Sequence, residues 1–111
     1  MPFIDMSAIE SETVTPKYST AFGPLVTGEQ VEVGRLSFEK GTGAVEHAHP
    51  HEQIMYILEG KLEITLDGET TVMEPGGGFH APPNTPHSVT ALEDTLVISC
   101  KGIVGGVGHK I

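Results

Sequence analysis

The chain has 111 residues, enough for one domain that buries roughly two-thirds of its unfolded surface and too few for a second core. Fifteen acidic against six basic residues give a formal net charge of -9. That balance argues against nucleic acid, whose phosphates require clustered lysine or arginine, and against an anionic membrane surface. The single Cys100 cannot form an internal disulfide, no run approaches the ~20 apolar residues of a membrane span, and the start lacks the basic leader and apolar core of a secretory signal, so a reducing cytoplasm is the expected location.

Glycine and proline, 14 and 8 residues, fall between short apolar runs as turn punctuation. Residues 1–30 read as an N-terminal arm broken by Pro16 and Pro24, whose Phe3, Ile4, Ile9 and Phe22 are expected to pack on the barrel or on a partner. From Val31 the pattern is that of strands: Val31 and Val33 alternate, then Leu36 and Phe38, up to the turn at Glu39–Gly41.

The next stretch, Gly41 to Gly60, carries His47, His49 and His51 on alternate positions, followed by Glu52 and Gln53. Alternate side chains of an extended strand share a face, so His47 and His49 are expected to converge on one ion from one side of a sheet. Neutral imidazole is the commonest metal ligand. Gln53 to Leu58 is a compact apolar run; Leu62, Ile64 and Leu66 alternate up to Asp67-Gly68, a strong hairpin signal, and Glu69 to Met73 is the return strand. Beyond the glycine triplet, Phe79 to Ala81 is stopped by Pro82-Pro83, and His87 stands at the start of a strand, where it can supply a third ligand at the barrel mouth. Ser88 to Ala91 and Thr95 to Cys100 form the last pair.

About eight short strands at hairpin spacing, with no convincing helix, predict an all-β double-stranded jelly-roll barrel over residues 31–101, not a βαβ fold. Residues 102–111 read as a glycine-rich, mobile tail in which His109 is solvent-exposed. His80 is expected at the surface, and Tyr56, out of phase with Gln53, is assigned to packing.

These residues resemble the cupin superfamily. Its first motif runs glycine, five residues, H-x-H, three or four residues, an acidic ligand, six residues, glycine; Gly41, His47, His49, Gln53 and Gly60 fall on that spacing, with glutamine where glutamate is usual. Its second motif is matched by Pro75-Gly76 and by Pro82 to His87. Within the superfamily the runs H-A-H-P-H-E-Q, Y-I-L-E-G, L-D-G-E-T and P-P-N-T-P-H-S-V are similar to the KdgF-type pectin-degradation cupins. Gly77, in place of an aspartate, and the segment after Cys100 depart from that pattern.

The resemblance implies one divalent transition metal ion (zinc, nickel, manganese or iron) held by His47, His49, Gln53 and His87, and a ring-opening reaction on unsaturated uronates. Three imidazoles and an amide leave the ion's double charge uncompensated, which suits Lewis-acid work on carbonyls and hydroxyls of a small oxygenated substrate. A polyketide cyclase, a dioxygenase and a non-catalytic ligand-binding cupin are the alternatives. His51, turned by Pro50, is expected at the rim as a supporting or substrate-contacting residue, with a solvated histidine as its alternative. Arg35, the only arginine, is a candidate clamp for a substrate carboxylate, with a surface ion pair as its alternative. Homodimerisation is expected, since cupins commonly pair through outer strands and N-terminal arms.

Overall fold

A computed structural model describes residues 3–111 as two facing antiparallel sheets and, besides them, one 3-10 turn at Met6–Ala8. The strands are β1 (Glu12–Thr13), β2 (Phe22–Gly23), β3 (Leu25–Thr27), β4 (Val31–Phe38), β5 (Gly43–His47), β6 (Gln53–Glu59), β7 (Leu62–Leu66), β8 (Glu69–Met73), β9 (Gly78–Ala81), β10 (His87–Ala91) and β11 (Thr95–Gly102). The larger sheet runs β1-β2-β4-β11-β6-β9, with β3 also on β4, and the smaller runs β5-β10-β7-β8. Neighbours far apart in sequence, such as β4 beside β11 and β5 beside β10, make this a jelly-roll barrel rather than a meander.

The core lies between the sheets. Leu36, Ile57 and Val97 meet across β4, β6 and β11 of one sheet; Leu62, Ile64 and Val89 face them from the other, and Phe38, Met55 and Phe79 fill the space between. Strand alternation sends the intervening residues outward, so Ile54, Tyr56 and Leu58 are exposed on the outer face of β6. Tyr56 is therefore out of phase with Gln53, as expected, but packs in no core. On β4 the inward set is Glu32, Gly34, Leu36 and Phe38, which leaves Val31 exposed and Val33 half-buried on the other face.

The N-terminal arm is woven into both sheets. Its β1 and β2 extend the larger sheet, while Val45 N–H donates to the Tyr18 carbonyl at 2.9 Å along the edge of β5. The anchors differ from those expected: Val14, Thr15 and Ala21 are buried, whereas Phe3 is 80% and Ile4 65% exposed, and Phe22 faces outward from β2. Phe3 and Ile4 precede the first strand, and Phe22 points to the outer side of β2, where no facing sheet covers it, so its neighbour Ala21, of opposite parity, enters the core instead.

Tight turns place the strands. Asp67 and Gly68 both take positive φ, 48° and 83°, as a two-residue hairpin turn requires. The two glycines that bracket the histidine segment do different jobs. Gly41 has φ +86° with open space around an added Cβ; Gly60 has φ +94°, and a Cβ there would sit 2.4 Å from the Asp94 carbonyl oxygen and 2.5 Å from Thr95 Oγ1. Gly41→Ala should cost about 1–2 kcal/mol, the left-handed strain alone, and Gly60→Ala roughly 1–3 kcal/mol more from overpacking. Urea denaturation of the two variants checks this; equal losses would remove the clash from the account.

Candidate metal centre

His47 ends β5, His87 opens β10, and the two are register partners in the smaller sheet. His49 is on no strand. It lies in the 48–52 crossing between the sheets, so the two histidines of the H-x-H pair do not share a strand face, as alternation alone predicted. Pro50 and the turn after it bring His49 over the site while Gln53 begins β6 on the opposite sheet. The three histidines nonetheless converge: each offers a ring nitrogen within 4.8 Å of the others.

The ring orientations follow from hydrogen bonds to backbone. Nδ1–H of His47 donates to the Val45 carbonyl at 2.8 Å, that of His49 to the His51 carbonyl at 3.0 Å, and that of His87 to the Thr85 carbonyl at 2.8 Å. A neutral imidazole has one N–H, so in all three the lone pair lies on Nε2. Tyr18 stacks on His47 with centroids 4.8 Å apart and planes 5° from parallel, fixing that ring from outside. Burial lowers the basicity of all three histidines; for His49, burial, the nearby Lys101 charge and His87 bring the pKa down to about 4. The site is thus a set of unprotonated imidazoles, the form that ligates metal.

Gln53 gives the sharpest indication of what the site accepts. Its Nε2 donates to Ser99 Oγ at 3.0 Å, which leaves Oε1 facing His49 Nε2 at 3.1 Å. Both atoms are acceptors, and no proton lies between them. Two buried lone pairs facing each other repel unless a cation sits near both, so this donor set fits a metal ion. The cavity bounded by His47, Gln53, His87, Ser99, Lys101 and His109 has a volume of about 30 Å³, room for an ion or a water but not for a monosaccharide.

The supporting residues are partly those expected. His51 is buried, not at the rim: its carbonyl holds His49, and its Nε2–H donates to the Val107 carbonyl at 2.7 Å. Its ring packs edge-on to His49 and is 3% exposed, which excludes a solvated histidine. Arg35 lies on the outer face of β4 between buried Gly34 and Leu36; strand parity points it away from the cavity, which overturns its reading as a substrate clamp. His80 is exposed and meets Glu52 at 2.7 Å.

Four residues were not anticipated. Lys101, 2% exposed, lines the cavity from β11, in register with Glu32 on one side and Gln53 on the other. Burial lowers its pKa to about 8, opposed by the Glu32 charge, and among the described residues no carboxylate is within ion-pair distance of it. Ser99 and Lys101 share the inward parity of Thr95 and Val97, so parity within the expected strand marks Ser99, and extending that strand to Gly102 would have found Lys101. His109 reverses its expectation: it is 1% exposed, with Nδ1–H donating to Glu32 Oε1 at 2.6 Å. Nothing local marks a histidine in a glycine-rich tail as buried, because the contact spans 77 residues. Burial pushes the Glu32 carboxyl up, but hydrogen bonds from Thr27 and His109 outweigh this and hold it below its usual range.

Comparison with known proteins agrees with this architecture. Residues 34–100 match the cupin domain model, and the chain belongs to the cupin family. It is 36% identical over 85 residues to quercetin 2,3-dioxygenase of Bacillus subtilis (strain 168), a match covering 75% of this chain and 25% of that protein. It is 34% identical over 64 residues to the pectin degradation protein KdgF of Dickeya dadantii (strain 3937), covering 57% of this chain and 58% of that one. The chain thus spans less than two-thirds of either relative. Among solved structures, KdgF from Halomonas sp. superposes with a TM-score of 0.80 at 30% identity, covering 92% of this chain and 93% of that one.

Burial of unprotonated histidines has a pH consequence. His49 and His109 have folded pKa values near 4 against an ordinary 6.5. The unfolded chain therefore takes up protons that the folded chain refuses; the contribution is complete above 6.5 and is lost as pH falls toward 4. The melting temperature of the metal-free protein should decline steadily across that interval, and a flat profile would contradict the buried, neutral assignment.

Proposed function

We propose that this cupin holds one divalent transition metal ion through His47, His49, His87 and the amide oxygen of Gln53, and uses it on a small anionic, oxygenated molecule. The observation that carries the reading is the pair of facing acceptors, His49 Nε2 and Gln53 Oε1, 3.1 Å apart beside two further unprotonated imidazoles. When bound, the ion would polarise a carbonyl or hydroxyl oxygen as a Lewis acid. The histidines stay unprotonated because burial resists their charging, against the opposing effect of the backbone carbonyls that accept from Nδ1–H; those bonds fix the tautomer and so leave Nε2 free to ligate.

Charge favours an anionic substrate. Four neutral ligands leave two positive charges uncompensated, Lys101 adds a third, and Glu32 cancels one. The Lys101 ammonium, buried and without an ion-pair partner among the described residues, is the group suited to a carboxylate, the role once considered for Arg35. An unsaturated uronate carries such a carboxylate, and the likeness to the KdgF proteins supports opening of such a sugar as the reaction. With a cavity of only about 30 Å³, the sugar would present its reacting oxygen to the centre from outside or displace part of the lining.

That small cavity also favours a second reading, a metal-holding cupin that binds its ion without turnover. Elemental analysis of the purified protein, followed by NMR of unsaturated uronates incubated with it, separates the two. Turnover that disappears in His49→Ala, with the fold retained, supports the enzyme. Lys101→Met should raise KM for a uronate by about 10-fold or more, as loss of a charge-assisted contact implies, and leave metal content unchanged. Metal bound without turnover of any uronate would favour the second reading.

A further inference from the structure

We infer that the C-terminal segment is part of the metal centre: Glu32, His109 and Ser99 form a one-way hydrogen-bond relay that turns the amide oxygen of Gln53 toward the histidines, and that requires an N–H donor at position 53. The inference rests on the metal reading above and concerns residues that would not touch the ion.

The direction of the relay follows from counting protons. The His109 backbone N–H can only donate, and it donates to Glu32 Oε1 at 2.6 Å. His109 Nδ1 lies 2.6 Å from the same carboxylate oxygen, an acceptor without a proton, so Nδ1 carries the ring proton. The ring is buried, and burial holds it neutral by lowering its pKa to about 4, which leaves Nε2 as a bare lone pair. Ser99 Oγ is 2.8 Å from that lone pair, so its hydroxyl proton points to His109. The hydroxyl then has only lone pairs for its remaining contact. Gln53 Nε2, at 3.0 Å, must donate to it, and Oε1 is left aimed at His49 Nε2. Reversing the amide would put two acceptors against each other at Ser99.

The relay is anchored at its far end. Thr27 Oγ1–H donates to Glu32 Oε2 at 2.7 Å, and the His109 carbonyl accepts from Thr15 Oγ1 at 2.7 Å. The tail is also held by His51 on the Val107 carbonyl and by an ion pair of Lys110 with Glu12 at 2.7 Å. Gly108 lets it pass: an added Cβ there would lie 2.5 Å from Glu32 Oε1. A glutamate at position 53 has no N–H, so the one Ser99 proton would be claimed from both sides. The relay therefore accounts for glutamine at the position where the family motif usually carries glutamate.

Two measurements on the full chain test this. Long-range nitrogen–proton NMR of the metal-free wild type should show His109 protonated at Nδ1 and bare at Nε2; a proton on Nε2 would overturn the relay whatever the metal affinity. Competition titrations with Zn(II), and the ligand-field spectrum with Co(II), should show Ser99→Ala binding about 10–100-fold more weakly than wild type, with a changed spectrum because Gln53 loses its orientation. Wild-type binding with a Ser99→Ala affinity within about twofold and an identical spectrum would overturn the relay alone, set against that expected loss. Failure of the wild type to bind either ion would overturn the metal reading itself and the inference resting on it.

Discussion

The contact between Glu32 and His109 is the constraint on which the rest of the site depends. A carboxylate 4% exposed in the interior of a β-barrel is tenable only if donors surround it, since an unpaired buried charge costs several kcal/mol. Three donors do so, two from His109 and one from Thr27. Hydrogen bonds to a charged acceptor contribute about 1.5–3 kcal/mol each, so the carboxylate and the tail stabilise each other. Without His109 the carboxylate is stranded; without Glu32 the glycine-rich segment has little apolar surface to hold it down.

That contact also explains an arrangement that strand alternation alone would not favour. On β4 a glutamate faces the core while Val31 faces solvent. Hydrophobic patterning taken alone would choose the other register, but a one-residue slip would also carry Leu36 and Phe38 to the outside. Four inward positions decide together, and the one polar member is tolerated because it is fully hydrogen-bonded. On the next strands Lys101 and Gln53 stand level with Glu32, so one end of the larger sheet carries a polar rung across β4, β11 and β6. The next inward rung, Gly34, Ser99 and Met55, still carries the serine, and the apolar rung of Leu36, Val97 and Ile57 follows it. The barrel is dry at its centre and polar at one end, and the histidines of the smaller sheet close over that end.

What could be read from the sequence divides along the same line. Strands β6 to β11 were legible because period-two alternation and turn residues are local: Leu62, Ile64 and Leu66 up to Asp67-Gly68 define their hairpin without reference to anything distant. The positions of His47, His49, Gln53 and His87 were legible from spacing, although the cause assigned to the first pair was wrong, since His49 leaves the strand. The arm was misread because Phe3, Ile4 and Phe22 are large and apolar, yet Phe3 and Ile4 precede the sheet and strand parity turns Phe22 outward, so Val14 and Ala21 enter the core. His109 and Glu32 were illegible for a deeper reason. Each looks solvated by every local criterion, and only pairing across 77 residues makes burial of either affordable.

The same pairing alters the meaning of the glutamine. Considered with the three histidines alone, Gln53 would withhold one negative charge from an ion held there and so favour Lewis acidity. Considered with Ser99 behind it, Gln53 is the last donor of a chain whose direction is set by a carboxylate and a backbone N–H on the far side of the barrel. The two accounts are compatible, and they act on different atoms: the first concerns the charge on Oε1, the second the proton on Nε2. An amide is the side chain that meets both demands, because it presents an uncharged oxygen to the histidines and an N–H to the serine in one rigid plane. Replacing it with a carboxylate would change the charge at the centre and break the proton count behind it in the same step.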